Sequence, residues 1–185
     1  MTMNVLNYIY YLNAWIRGLY FKLIVGSKGK VLVYGSLPII RGNPKKIKIN
    51  GTVKIYEQVT FVVSDINKDE FIEISDGVVV ERNSYLNAHG GKIQIRSNVH
   101  IGVGNILQGK AGIEIHDDTM LGPNVQIYST NHMYEVGSSP RKMYPEHGKK
   151  IKIGSNVWVC ANAVILSGAE ISDDQVILPL AVIRT

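Results

Sequence analysis

The chain has a single cysteine, Cys160, in 185 residues. That excludes an intrachain disulfide and a thiolate metal cluster, and it suits a reducing compartment. The five histidines are scattered, with no His-x4-His pair. Acidic residues are missing from the whole front end. Glu57 is the first carboxylate, and nine Lys or Arg residues precede it, so the net charge of +5 divides into +9 up to that point and −4 beyond. A front end of this kind suits an anionic membrane surface or a phosphate-bearing substrate. No nucleic-acid-binding motif accompanies the charge, which sets nucleic acid aside as a partner. No basic residue precedes the first apolar run, which argues against a cleavable signal peptide.

That first run spans residues 4–25. Val5, Ile9, Leu12, Ile16, Leu19 and Leu23 recur at alternating steps of three and four, which predicts a helix with one apolar stripe. Its length approaches that of a membrane span, but Arg17, Lys22, Asn7 and Asn13 favour a helix lying on a bilayer, with Tyr and Trp at the interface. The other reading packs it on the rest of the chain or on a neighbouring subunit. Residues 26–46, rich in Gly and Pro, read as a linker or an irregular first coil. The expected division is 1–30, an amphipathic helix and linker, and 31–185, one domain.

From Ile49 onward an apolar residue recurs every sixth position, in triplets: Ile49, Ile55, Phe61; Ile74, Val80, Leu86; Ile95, Ile101, Leu107; Ile115, Leu121, Ile127; Ile153, Val159, Ile165; Ile171, Ile177, Ile183. A period of six belongs to neither a helix nor a simple strand. It is the signature of a parallel β-helix in which each hexad makes one flat face. Small residues four places later, such as Val125, Ala163 and Ala169, leave room in a narrow core. Gly, Asn and Asp at the corners tolerate left-handed backbone angles. Six triangular coils are expected, with loops leaving at one repeated corner. The longest excursion, 133–150, is too long for a corner turn, and a loop of that length in a compact domain is usually functional.

Two segments flank that loop. Gly122 to His132 reads GPNVQIYSTNH, and Glu146 to Ala161 reads EHGKKIKIGSNVWVCA. Here the chain resembles the hexapeptide-repeat acyltransferases, most of all the galactoside and maltose acetyltransferases and the O-acetyltransferases of polysaccharide synthesis. The resemblance implies an all-β fold, a left-handed parallel β-helix, which departs from the usual right-handed crossover. It also implies a homotrimer in which acetyl-CoA and a sugar or glycan acceptor meet between subunits.

By position, His132 matches the family's catalytic histidine, which takes a proton from the acceptor hydroxyl, and an unperturbed imidazole suits that task near neutral pH. Glu146 matches a loop glutamate that orients it. Ala161 falls at the thioester-side contact, where a backbone N–H meets developing negative charge. Trp158 holds the motif's tryptophan position. Where related enzymes carry an acceptor-side Asn, this chain has Gly102, which leaves as candidate acceptor contacts Asn105, close in sequence but at an inward-facing position of the hexad, and Gln108 and Tyr128, one coil apart in register. The last coil departs from the family pattern: Pro179 lies near the expected pantetheine path, and Arg184 is its terminal cation.

The expected activity is acetyl transfer from acetyl-CoA to a hydroxyl of a sugar or nascent surface polysaccharide, in the cytoplasm and peripheral to the inner membrane through residues 4–25. Two other classes compete. One is a non-catalytic trimeric scaffold. The other is the gamma-type carbonic anhydrase of the same fold, for which the sixteen-residue separation of His116 and His132 does not fit; no metal site is expected. The remaining histidines, His89, His100, His116 and His147, read as corner or surface residues, and Cys160 as a small filler.

Overall fold

A computed structural model describes residues 5–64, 66–132, 136, 137, 139 and 146–184, with residue 146 described in its backbone only. The hexad ladder folds into a left-handed parallel β-helix with three faces. The first face stacks Lys30–Val33, Thr52–Ile55, Val79–Val80, His100–Ile101, Met120–Leu121, Trp158–Val159 and Val176–Ile177. The second stacks Ile39–Gly42, Thr60–Val63, Tyr85–Asn87, Ile106–Gln108, Gln126–Tyr128, Val164–Leu166 and Val182–Ile183. The third stacks Ile47–Ile49, Phe71–Ile74, Lys92–Ile95, Ile113–Ile115, Ile151–Ile153 and Glu170–Ile171.

Seven strands on two faces and six on the third make about seven turns, one more than the triplets count. The extra turn comes from the stretch expected as linker or irregular coil. Lys30–Val33 pairs with Thr52–Ile55, and Ile39–Gly42 with Thr60–Val63. Its glycines and Pro38 had hidden the ladder, yet Val31 and Val33 point inward and are fully buried.

Inside, the branched residues stack in columns. Ile95, Ile115 and Ile153 are register partners on the third face, and Leu107, Ile127 and Ile165 on the second. All six are shielded from solvent. From Ile47 onward the burial alternates along the strands as a half-buried parallel sheet requires, whereas Lys30–Val33 under the helix and Ile39–Gly42 depart from it. Corner residues such as Asn83, Asn98, Asn124, Asn156 and Asp174 take positive φ, the backbone region that short polar side chains tolerate.

The open end of a solenoid needs a cap, and the helix α1 (Val5–Val25) supplies it. Ala14, Gly18, Phe21 and Val25 form its buried seam, and Phe21 enters the core with its ring 6.1 Å from that of Phe61. Gly18 sets the distance of approach: a Cβ there would lie 1.7 Å from the Val31 carbonyl oxygen. The stripe from Val5 to Leu23 read from the sequence is therefore not the packed one. At the closest approach the small Ala14 and Gly18 face the solenoid, because only small residues let the two backbones come so close, and Phe21 and Val25 fill the core beside them. Val5, Ile9, Leu12, Ile16, Leu19 and Leu23 all remain exposed. Among the described residues no helix is long and apolar enough to cross a membrane.

Candidate active site

The large excursion leaves between the second and third faces. Its root is a two-stranded antiparallel hairpin, Thr130–His132 against Glu146–Gly148, in which Asn131 pairs with His147 and His132 with Glu146. The side chain of Glu146 lies outside the described residues, so its expected orienting role rests on this backbone register alone. The parallel coils hold the hairpin in place. Ser129 is fully buried, its hydroxyl accepts the Ala111 N–H at 2.9 Å, and it donates to the Gln108 carbonyl at 3.0 Å. The His132 N–H donates to Asn131 Oδ1 at 3.0 Å, and the His132 side chain stands exposed.

His132 borders a cavity of about 260 Å³ together with Gln108, Tyr128, Thr130, Asn131, His89 and Leu166. Gln108, Tyr128 and Leu166 are successive register partners on the outside of the second face. The hydroxyl of Tyr128 donates to Gln126 Oε1 at 2.8 Å, which fixes the ring beside the cavity. Two of the three expected acceptor contacts, Gln108 and Tyr128, thus gather around His132.

Asn105 does not. It is sealed in the core, where its Oδ1 accepts the Val125 N–H at 2.6 Å and its Nδ2 has no partner. Its position in the hexad is an inward one, so the side chain holds the next coil rather than an acceptor. Nor could an Asn at position 102 restore the family pattern, since a Cβ on Gly102 would lie 2.6 Å from the Leu121 carbonyl oxygen.

His89 is a residue that the sequence reading passed over. Its N–H donates to Asn87 Oδ1 at 2.9 Å, its φ is +51°, and its side chain lines the His132 cavity. The register held the signal: Asn87 pairs with Gln108, and Gln108 with Tyr128, so a residue two places after Asn87 lies on the corner that carries the loop.

Trp158 lies on the first face, and Ala161 and Pro179 lie at the corners that join it to the second, away from His132. Trp158 pairs with Met120 and Val176 on the first face and walls a groove of about 450 Å³ that includes Gly102, Gly122 and Pro123. Ala161 sits at the adjoining corner, half-buried, with its backbone N only 2.9 Å from where a Gly122 Cβ would lie. Pro179 stands exposed one coil further on, and the Leu180 N–H donates to the Ala161 carbonyl. Arg184 is placed differently. It follows Ile183, the register partner of Ile165, and so continues the outer column of Tyr128 and Leu166 on the His132 side. Among the described residues, the His132 cavity and the Trp158 groove share none. Among the described residues no group of three His, Cys, Asp or Glu side chains is placed to hold a metal ion.

A third polar cluster supports the return of the loop. Glu114 on the third face accepts from Lys150 at 2.5 Å and from Arg96 at 3.1 Å. His116 Nε2 lies 3.5 Å from the same carboxylate without hydrogen-bond geometry. The Lys150 ammonium first, and then the Arg96 guanidinium, outweigh the effect of burial and hold the Glu114 carboxyl down to about 2.

No family model matches the chain. It is 32% identical over 121 residues to a galactoside O-acetyltransferase of Lactococcus lactis, covering 61% of this chain and 54% of that one. To nodulation protein L of Rhizobium meliloti it is 30% identical over 96 residues, 52% of this chain and 51% of that one. The chain spans about half the length of these curated relatives. Among solved structures, a mutant of AntD, an N-acyltransferase from Bacillus cereus in complex with dTDP and Coenzyme A, superposes with a TM-score of 0.58 at 17% identity, over 90% of this chain and 77% of that one. That likeness is one of fold. The coils are those of a left-handed parallel β-helix, and in sequence the chain is similar to proteins named as acetyltransferases.

Proposed function

We propose that the protein transfers an acetyl group from acetyl-CoA to a hydroxyl of a sugar or nascent surface glycan, with His132 as the general base. The observation that carries this reading is the gathering of His132, Gln108 and Tyr128 around one cavity at the root of the long loop. The relative named galactoside O-acetyltransferase supports it.

The Trp158 groove suits a slender arm. Its walls are Met120, Pro123 and Trp158, and its floor is kept open by Gly102 and Gly122. Trp158 in the groove and Ala161 at the adjoining corner would hold acetyl-CoA, with Pro179 one coil further on; bound, it supplies an acetyl group activated as a thioester. His132 takes the proton of the acceptor hydroxyl as that oxygen forms its bond to the acyl carbon, and returns it to the sulfur as the carbon–sulfur bond breaks. Gln108 and Tyr128 orient the acceptor by hydrogen bonds. The Ala161 N–H faces the charge that develops on the acyl oxygen.

Because the His132 cavity and the Trp158 groove lie at opposite edges of one face, the complete site joins the cavity of one copy to the groove of the next. This favours the homotrimer, and Arg184 on the cavity side would meet the far end of the neighbour's acetyl-CoA. The exposed stripe of α1 favours a cytoplasmic place peripheral to the inner membrane. The test is thiol release from acetyl-CoA in the presence of candidate sugars, with the O-acetyl product identified by NMR. Turnover that requires the acceptor supports the proposal. The absence of turnover with sugars and lipid-linked glycans alike would favour a trimeric scaffold.

A further inference from the structure

Resting on the membrane reading above, the geometry points to a specific contact: the groove between α1 and the first strand takes the anionic phosphate headgroup of a bilayer lipid, while the outer stripe of α1 enters the acyl layer. The groove holds about 220 Å³ and is lined by Lys22, Lys28, Lys30, Trp15, Leu19 and the backbone at Gly29. None of its lining residues is acidic, and the chain has no carboxylate before Glu57. Lys30 is oriented by the Tyr11 hydroxyl, 3.2 Å from its Nζ.

Two further observations select a lipid rather than a free anion. Trp15 and Leu19 belong both to the wall of this groove and to the exposed surface of the helix, so the cationic and apolar surfaces are continuous. The outer stripe from Val5 to Leu23 is also held rigidly, since Gly18 and Phe21 fix the opposite seam on the solenoid. An apolar face bordered by lysines and an interfacial tryptophan matches a helix lying in the headgroup boundary. A second copy would cover the stripe but would leave three clustered ammonium groups without counter-charge.

The test uses the full chain and sedimentation with vesicles of phosphatidylcholine, with or without phosphatidylglycerol, at low and high salt. Anionic vesicles are expected to bind far more tightly than neutral ones, and the preference should weaken with salt. Replacing all three lysines (Lys22→Gln, Lys28→Gln, Lys30→Gln) should reduce anionic binding on the order of 100-fold, at about five-fold per lysine. Ile16→Glu should remove binding to either vesicle. Should the triple variant melt early, Lys28→Gln alone decides, with an expected loss of about five-fold. Equal binding to both vesicles, or a triple variant that binds like the wild type, would overturn the headgroup contact and leave the membrane reading standing. Absence of binding to either vesicle would overturn both. Displacement by inorganic phosphate, but not by chloride of equal ionic strength, would assign the groove to a free anion. A fall in oligomeric state with Ile16→Glu would assign the stripe to a second copy.

Discussion

Across the hairpin at the root of the long loop, His132 stands directly opposite Glu146. Two residues further along the return strand, Gly148 fixes how closely that strand lies on the coil. A Cβ on Gly148 would fall 2.6 Å from the Ala111 Cβ and from Thr130 Cγ2. Gly148→Val should push the return strand outward and carry His132 with it. The expected cost is about 1–3 kcal/mol of stability, as for other overpacked sites, and kcat should fall further than melting temperature predicts. Parallel thermal melting and steady-state kinetics check this.

His89 and Tyr128 line the cavity without standing at the hairpin. Their removal should weaken acceptor binding more than the chemical step. For His89→Ala and Tyr128→Phe we expect a KM for the sugar raised several-fold and a kcat within about ten-fold of wild type, the pattern of lost ground-state contacts. A collapse of kcat in His89→Ala would instead make His89 a participant in proton transfer.

The separation of the His132 cavity from the Trp158 groove predicts complementation between inactive copies. His132→Ala removes the base, and Ala161→Arg blocks the groove. Each alone should be inactive as a homo-oligomer. Co-expressed, the two should regain part of the wild-type rate, because some interfaces combine an intact cavity with an intact groove. Activity that stays absent in the mixed oligomer would place both halves of the site in one chain.

Glu114 ties the returning loop to the third face, and its carboxyl is held at about 2 by Lys150 and Arg96. A carboxyl depressed in the folded state adds stability that is fully present above its unfolded pKa, near 4.3, and is lost as pH falls toward about 2. Lys150 is half-exposed, so the screened contribution is of the order of 1 kcal/mol. Glu114→Gln should lower the melting temperature at pH 7 and narrow its gap from wild type at pH 2–3. Melting curves across this range check it.

Leu180 sits at the corner after Pro179 with φ +62° and its side chain in solvent. Left-handed backbone costs a branched residue roughly 1–2 kcal/mol, while other corners use Asn or Asp. Leu180→Asn should therefore raise stability by about 1 kcal/mol, measured by thermal or denaturant unfolding.

Much of the architecture was legible because the hexad is a geometric necessity. Ile153, Val159 and Ile165 can recur at six and all point inward only if each lies on a new face, and the structure puts each on a different one. The first coil stayed one of two readings of residues 26–46 because Gly35, Pro38 and Gly42 break the ladder, although Val31 and Val33 keep its inward spacing. The apolar stripe of the helix was legible, but its packed seam was not, because periodicity reports apolarity, whereas contact with Val31 demanded the smallness of Gly18. At the site, the family resemblance and the edge of the loop singled out His132, and coil register set Gln108 beside Tyr128; the structure brings the three to one cavity. Spacing placed Asn105 near them in sequence, but hexad parity turns that side chain inward to the Val125 N–H. His89 needed coil-to-coil register, which no single repeat displays.

The most direct test of the account is the turnover of acetyl-CoA by His132→Ala beside wild type, with CoA binding and melting temperature measured on the same samples. The account predicts a kcat reduced by about 10²–10⁴-fold, the usual contribution of a general base, with CoA affinity and melting temperature unchanged. A His132→Ala variant that turns over at close to the wild-type rate would contradict it.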